Sequence, residues 1–289
     1  MKIECVVVCL NYSDFLSHTL PHNRNYFNRM VIVTDTKDSE TKRVCEFWNV
    51  ECIQTDEFYT DSPIIPNKSR GINEGLKKLD LDGWVVQMDA DIFLLPQTRH
   101  ILENYHLDSK KLYGIDRLMC NSYEEWDDFY RKSKPIYEGW IYCHVDRFPV
   151  GTRMVHHSLG YHVLGYMQLW NPKESGFYDY PIQNSGFDRT DVVHFKRWSK
   201  ENIGFIPDLV CIHLASEDHA QGQNWLGRKT NKFEPKLPKP KSLLKKELNK
   251  FFRKVYFNIF KIIYWLLGFA VNYIPDKDCW IKRMLRKYS

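Results

Sequence analysis

Two carboxylates one residue apart, Asp89 and Asp91, stand between two apolar runs: Trp84-Val85-Val86-Gln87-Met88 before them and Ile92-Phe93-Leu94-Leu95 after. Short apolar runs bounded by turn formers, here Gly83 and Pro96, are strand candidates. Carboxylates at the C-terminal edge of a strand lie where open α/β sheets bind ligands. Hard divalent cations that carry phosphates are held by one or two such carboxylates together with phosphate oxygens. The pattern therefore predicts a cation site for a phosphate-bearing ligand. The same triplet recurs at Asp80/Asp82 and Asp276/Asp278, where no buried strand precedes it. Those copies read as solvated turns.

The elements that must position this pair alternate along the chain. Ile3 to Leu10 reads as a first strand, and Asn11-Tyr12-Ser13-Asp14 as the loop that follows it. Met30 to Thr34 forms a second strand ending at Asp35. Thr41 to Trp48 and Ser69 to Leu79 read as helices, with a short strand over Val50 to Ile53 between them. Strands alternating with helices imply an α/β fold with a mainly parallel, doubly wound sheet. From Leu112 to Phe205 the periodicity weakens and aromatics accumulate, consistent either with loops over a rigid scaffold or with an aromatic core. Phe205 to Leu214 reads as a last buried strand bearing His213 near its end.

Size and charge narrow the class. The 289 residues, 43% hydrophobic and 15% aromatic, suffice for one large α/β domain and an appendage. The net charge of +5 hides a division. From Lys229 onward sixteen Lys/Arg face four Asp/Glu, a net of +12, and the preceding residues carry −7. An acidic globule with a basic tail suggests a tail that seeks an anionic surface. The eight cysteines include no Cys-x-x-Cys pair, and Cys5, Cys9 and Cys211 sit in strand-like runs. Buried thiols in a reducing compartment fit better than disulfides or a zinc site. The N-terminal apolar run is brief and broken by Glu4, which fits a strand rather than a targeting segment. A cytosol-facing protein is expected.

Taken in order, the first-strand loop, Asp35, Pro66-Asn67-Lys68-Ser69-Arg70, Asp89-Ala90-Asp91, Gln168-Leu169-Trp170, Tyr180-Pro181, Asp188-Arg189-Thr190-Asp191, His213-Leu214 and Asn224-Trp225-Leu226-Gly227-Arg228 resemble the GT-A fold glycosyltransferases, in particular the broad family-2-like group. The likeness covers roughly residues 1 to 230. It implies a Rossmann-like GT-A domain that uses a nucleotide-sugar donor, with a UDP-sugar expected. By this resemblance Asp91 coordinates the cation, Asp89 contacts ribose or a metal-bound water, and His213 is a candidate third ligand. The implied cofactor is Mn²⁺ or Mg²⁺, with manganese preferred because it tolerates imidazole better. Asn11 belongs to the donor site. Asp35 either accepts from base or ribose or caps a turn. Lys68 and Arg70 either pair with the diphosphate or sugar or form a solvated basic pair. Arg228 and Lys229 are placed to close over the diphosphate. Asp191 is the candidate base for the acceptor hydroxyl, and Asp188 is its competitor, because the family's usual Glu-Asp pair is missing.

Glu234-Pro235-Lys236-Leu237-Pro238-Lys239-Pro240-Lys241 reads as a stiff charged linker, giving a linker over 231–242 and a tail over 243–289. In the tail Lys246, Lys250, Lys254, Asn258, Lys261, Gly268 and Asn272 follow one helical stripe. Leu244, Phe251, Val255, Phe260, Ile263, Leu267 and Val271 lie opposite it. A basic stripe against a broad apolar face describes a helix in the membrane interface. Residues 255–274 are also long enough to cross a bilayer, though Lys261 within them makes crossing costly. The expected setting is peripheral, on the cytoplasmic side of a membrane, with a glycan or lipid-linked acceptor.

Two rivals remain. One is a sugar transferase acting on nucleic acid, with the tail gripping phosphate. The many large apolar residues of the tail weigh against it. The other is a membrane-attached nucleotide-sugar-binding protein without turnover. No Gly-x-Gly-x-x-Gly or Walker-type loop occurs, which disfavours a dinucleotide oxidoreductase or a P-loop NTPase. His156, His157 and His162 lack carboxylate or cysteine partners at ligand spacing and read as surface or packing residues.

Overall fold

β1 (Ile3–Val8) is buried along its whole length, as a strand covered on both faces must be. Its side chains alternate between two cores. Ile3, Cys5 and Val7 pack with Leu16 and Leu20 of α1 (Ser13–Asn23), and Val6 and Val8 pack with Ile72 and Leu76 from the opposite face. The computed structural model describes residues 1–136, 139–141, 145–151, 155–156, 160–182, 190–215 and 232–235. β2 (Arg29–Thr34), α2 (Ser39–Phe47), β3 (Glu51–Gln54), α3 (Lys68–Leu76) and β4 (Trp84–Asp89) follow. These four strands are parallel in the order β3-β2-β1-β4. The doubly wound arrangement expected from the sequence is present here. Helix α3 lies so close to the sheet that a Cβ on Gly75 would sit 2.3 Å from Val6 Cγ2.

The other half departs from parallel order. β5 (Ile92–Leu94), α4 (Thr98–Asn104), β6 (Leu112–Cys120) and α5 (Tyr123–Lys132) come first. Two small hairpin sheets, β7 (Lys134–Ile136) with β8 (Gly139–Ile141) and β9 (Val155–His156) with β10 (Gly160–Tyr161), come next. β11 (Met167–Trp170), α6 (Pro172–Ser175), α7 (Thr190–Phe195) and β12 (Ile203–Leu214) complete the described elements. The main sheet runs β3-β2-β1-β4-β11-β6-β12-β5, with β11 antiparallel to β4 and β6, and β5 antiparallel to β12. The stretch from Leu112, where the sequence periodicity weakens, opens with a regular strand. β6 is nine residues long and parallel to β12.

The turn Asp89-Ala90-Asp91 carries the chain from the middle of the sheet to its last strand. Pairing of β5 with β12 then sets His213 opposite Ile92, next to Asp91. Helix α1 holds the turn: Thr19 Oγ1 donates to the Ala90 carbonyl (2.8 Å), and Asn23 bonds the Ile92 carbonyl (2.6 Å) and the Leu94 amide (2.9 Å).

Cys5, Cys9 and Cys211 are buried free thiols, as expected. The segment assigned to a linker begins packed rather than solvated. Phe233 is buried against Phe15, His18 and Tyr123, and its amide bonds Asp14 Oδ2 at 2.5 Å. The compact unit accordingly runs Met1–Pro235, five residues beyond the expected boundary at 230. The tail over 243–289 lies outside the described residues, and among those described no helix is long and apolar enough to cross a membrane.

Candidate active site

Asp89 ends β4 and Asp91 opens the path to β5, so both stand at the C-terminal edge of the sheet. The backbone is fixed on both sides. The Asp89 amide donates to Tyr166 O (3.1 Å), and the Asp91 carbonyl accepts from Leu214 N (2.9 Å). Asp89 Oδ1 pairs with Lys68 Nζ and accepts from Gln87 Nε2 at 3.4 Å. Lys68 reaches it from the first turn of α3, where the Asn67 side chain caps the helix by accepting from Ser69 N. Burial pushes the Lys68 ammonium down, but the carboxylates of Asp89, Asp191 and Asp91 outweigh burial and hold it above its ordinary value. Burial raises the Asp89 carboxyl and Asp91 adds to the rise, with Lys68 opposing both.

The two oxygens of Asp91 differ. Oδ2 lies 3.2 Å from His213 Nε2, while Oδ1 is buried with no hydrogen-bond partner among the described residues. A buried carboxylate oxygen without a donor is costly to hold. A hard divalent cation is the partner that oxygen lacks, so the two carboxylates fit the metal expected here.

His213 fits less simply. Arg117 Nη1, on the neighbouring strand β6, lies 3.1 Å from His213 Nδ1, and its guanidinium stacks over Tyr166 at 4.6 Å. A guanidinium can only donate, so Nδ1 accepts and Nε2 carries the hydrogen that faces Asp91. As placed, His213 Nε2 faces Asp91 at 3.2 Å rather than standing as an open ligand. Ligating histidines usually donate the other ring N–H to an acceptor, and Arg117 occupies that place. The manganese preference drawn from imidazole is accordingly not supported by this geometry; two carboxylates suit Mg²⁺ and Mn²⁺ alike.

Asp191 opens α7. Its Oδ2 accepts from Gly165 N at 2.7 Å, and Oδ1 accepts no hydrogen bond among the described residues. Gly165 is required by contact: a Cβ there would lie 2.7 Å from Asp191 Cβ and 2.9 Å from its Oδ2. Gly165→Ala is expected to fold yet displace the Asp191 carboxylate. Misplacement of a reacting group by about 1 Å costs on the order of 10²-fold in rate. Steady-state kinetics should show that loss in kcat, with donor affinity unchanged.

A buried polar chain that the sequence reading did not assign runs beneath both carboxylates. Gln87 precedes Asp89 by two residues. Its Oε1 lies 3.4 Å from the Tyr180 hydroxyl, which donates to Gln168 Oε1. Gln168 Nε2 donates to Val163 O (3.0 Å) and to the Asp191 carbonyl (3.3 Å). Asn73 on α3 holds the Tyr180 backbone at both its amide (2.7 Å) and its carbonyl (2.9 Å). The signal was present as polar residues inside buried strands, Gln87 and Gln168, each essentially inaccessible.

Other expected donor contacts are not all brought to the pair. Asp35 accepts from Lys37 N (2.6 Å), Asp38 N (3.0 Å) and the Tyr59 hydroxyl (3.0 Å), so the turn-cap reading describes its present bonds. Arg70 faces elsewhere. Positions 68 and 70 point to opposite sides of a helix, and Arg70 pairs with Asp61 at 2.7 and 2.8 Å and with Glu57. There it lines a cavity of about 340 Å³ with Asn73 and Tyr178, a cavity that neither Asp89 nor Asp91 lines. Asn11 stands at the sheet's C-terminal edge in the left-handed region (φ 57°), its amide bonded to Asp38 Oδ2 at 2.8 Å. Asp188, Arg228 and Lys229 lie outside the described residues, as do His157 and the third Asp-x-Asp copy.

The second copy serves the fold. Asp80 and Asp82 pair with Lys2 at 2.5 and 2.6 Å, and buried Glu4 accepts from the Asp80 and Leu81 amides. Their ligand atoms and that of Glu4 lie within 4.8 Å of one another, and Lys2 already bridges Asp80 and Asp82.

No family model matches the chain, and no curated protein matches it. Among solved structures, it is similar to a mycobacterial protein at 13% identity, over 73% of this chain and 67% of that one, with a TM-score of 0.43. Glucosyl-3-phosphoglycerate synthase from Mycobacterium tuberculosis, in complex with Mn²⁺, UDP-glucose and phosphoglyceric acid, is 11% identical over 73% and 71% of the two chains, with a TM-score of 0.42. The 4-diphosphocytidyl-2C-methyl-D-erythritol synthase of Anaerococcus prevotii is 13% identical over 61% and 73%, with a TM-score of 0.36. Likeness of this degree assigns no chemistry, which rests on the chain's own residues.

Proposed function

We propose that this chain is a metal-dependent GT-A-type glycosyltransferase that moves a sugar from a nucleotide-sugar donor, a UDP-sugar by expectation, to a membrane-proximal glycan or lipid-linked acceptor. One observation carries the reading: a buried, unpartnered carboxylate oxygen on Asp91, beside the Asp89–Lys68 pair at the C-terminal edge of the sheet. The cation, Mn²⁺ or Mg²⁺, would supply charge neutralisation to the departing nucleoside diphosphate.

The remaining work belongs to the protein. Asp91 and Asp89 would hold the cation, with His213 orienting Asp91. Lys68 pairs with Asp89 and is placed to bind a donor phosphate once the cation takes over its partner. Asp191 presents Oδ1 to the acceptor hydroxyl and takes its proton, a role that requires a carboxylate within hydrogen-bond reach. The basic apolar tail supports a membrane-confined acceptor, since a helix of that pattern lies in the interface of anionic bilayers.

Thermal shift of the full chain with a panel of nucleotide sugars, with and without Mn²⁺, tests the reading. A ligand that binds only the folded state raises its apparent stability, by about 2.7 kcal/mol at a hundredfold excess over Kd. Stabilisation by one nucleotide sugar that needs the cation is expected. No response from any donor, with Mn²⁺ or Mg²⁺ present, would contradict it.

A further inference from the structure

We infer that Tyr180 is a positioning residue of this site, setting through its hydroxyl hydrogen the orientation of the buried Gln168 amide and thereby the place of the base Asp191. The inference rests on the function proposed above.

The polarity of the chain is forced. Both amide oxygens, Gln168 Oε1 and Gln87 Oε1, face the phenol oxygen, and Gln168 receives the short bond. With the oxygens turned inward, both NH₂ groups must turn outward, since an amide presents acceptor and donors on opposite sides. Gln87 therefore offers its hydrogens to Asp89, and Gln168 offers its hydrogens to Val163 O and Asp191 O. Tyr180 is itself placed by four site elements. Asn73 of α3 grips its backbone, Gln87 of β4 and Gln168 of β11 meet its hydroxyl, and His194 of α7 stacks on its ring at 3.8 Å and 5°. Burial, with Asp191 and Asp89 adding, holds the phenol well above its ordinary value, so the hydroxyl stays a donor.

The two ends of the chain differ in what else supports them. Asp89 keeps the Lys68 ion pair, and its contact with Gln87 is long at 3.4 Å. Asp191 keeps the bond from Gly165 N to its side chain, but Gln168 bonds its carbonyl, so loss of amide orientation shifts the first turn of α7 that carries it. Without the Tyr180 hydroxyl, Gln168 Oε1 is left buried and undonated, and a flipped amide would set oxygen against the Val163 and Asp191 carbonyls.

Tyr180→Phe, which keeps the ring and its stack, tests this in the full chain. Mn²⁺ and nucleotide-sugar affinities, measured calorimetrically, should stay within about threefold of wild type, and kcat should fall about tenfold or more. Gln168→Glu, which keeps the acceptor for Tyr180 but loses the NH₂, should reproduce the loss, and Tyr178→Phe beside it should not. The double variant should lose no more than either alone, as coupled partners do. A folded Tyr180→Phe protein with wild-type kcat, or one that loses donor affinity as much as kcat, would overturn the inference. Wild-type protein that binds neither Mn²⁺ nor any donor would instead overturn the function on which it rests, and the inference with it.

Discussion

Asp91→Asn is expected to abolish transfer without destabilising the protein. The asparagine keeps an oxygen for His213 Nε2, at the position where Asp91 Oδ2 now lies 3.2 Å away. Its NH₂ takes the place of the buried orphan oxygen. The swap exchanges one unpaired buried polar atom for another and removes a buried charge, which is costly to hold away from water, so the metal-free variant should melt close to wild type. An NH₂ group cannot ligate a cation. Loss of several kcal/mol of transition-state stabilisation is a fall of roughly 10³-fold or more in kcat/KM. Mn²⁺-dependent thermal stabilisation should vanish with it. Differential scanning fluorimetry and a donor-turnover assay on the same preparation separate the two effects. A variant with full activity would remove the cation from the account.

Asp191→Asn should stop turnover and spare binding. Asn keeps an oxygen to accept from Gly165 N, so the local backbone is retained, but it cannot take a proton. General-base catalysis contributes about 10² to 10⁴-fold, and a fall in kcat of that order is expected. Donor and Mn²⁺ affinities should stay within about threefold, because the contacts of Asp89 and Asp91 are untouched. The product's anomeric configuration reads the same assignment: a single base-assisted displacement inverts it. A variant that loses donor affinity as much as kcat would place Asp191 in the donor site instead.

The parallel half of the sheet was legible because its strands are dominated by apolar residues. Ile3–Val8, Arg29–Thr34 and Trp84–Asp89 need no partner information to be recognised. β6 was not, since Gly114, Asp116 and Arg117 interrupt its apolar pattern. Arg117 is there to meet His213 across a strand boundary, a contact set by the pairing of β6 with β12. The site divides the same way. Asp89 and Asp91 were marked by the strand before them, and Lys68 by its place at a helix start. Arg70, two residues later, shared that local signal but turned to Asp61, because helical rotation rather than proximity in sequence decides direction. Gln87, Gln168 and Tyr180 carry little local pattern. Their roles exist only once β4, β11 and α7 lie side by side.

Location of the cation tests the central claim most directly. A crystal of the full chain grown with a UDP-sugar and Mn²⁺, measured at the manganese absorption edge, should show one anomalous peak within coordination distance of Asp91 Oδ1, with donor phosphate oxygens on its other side. No peak at that turn, with Asp91 Oδ1 still buried and unligated in the presence of bound donor, would contradict it.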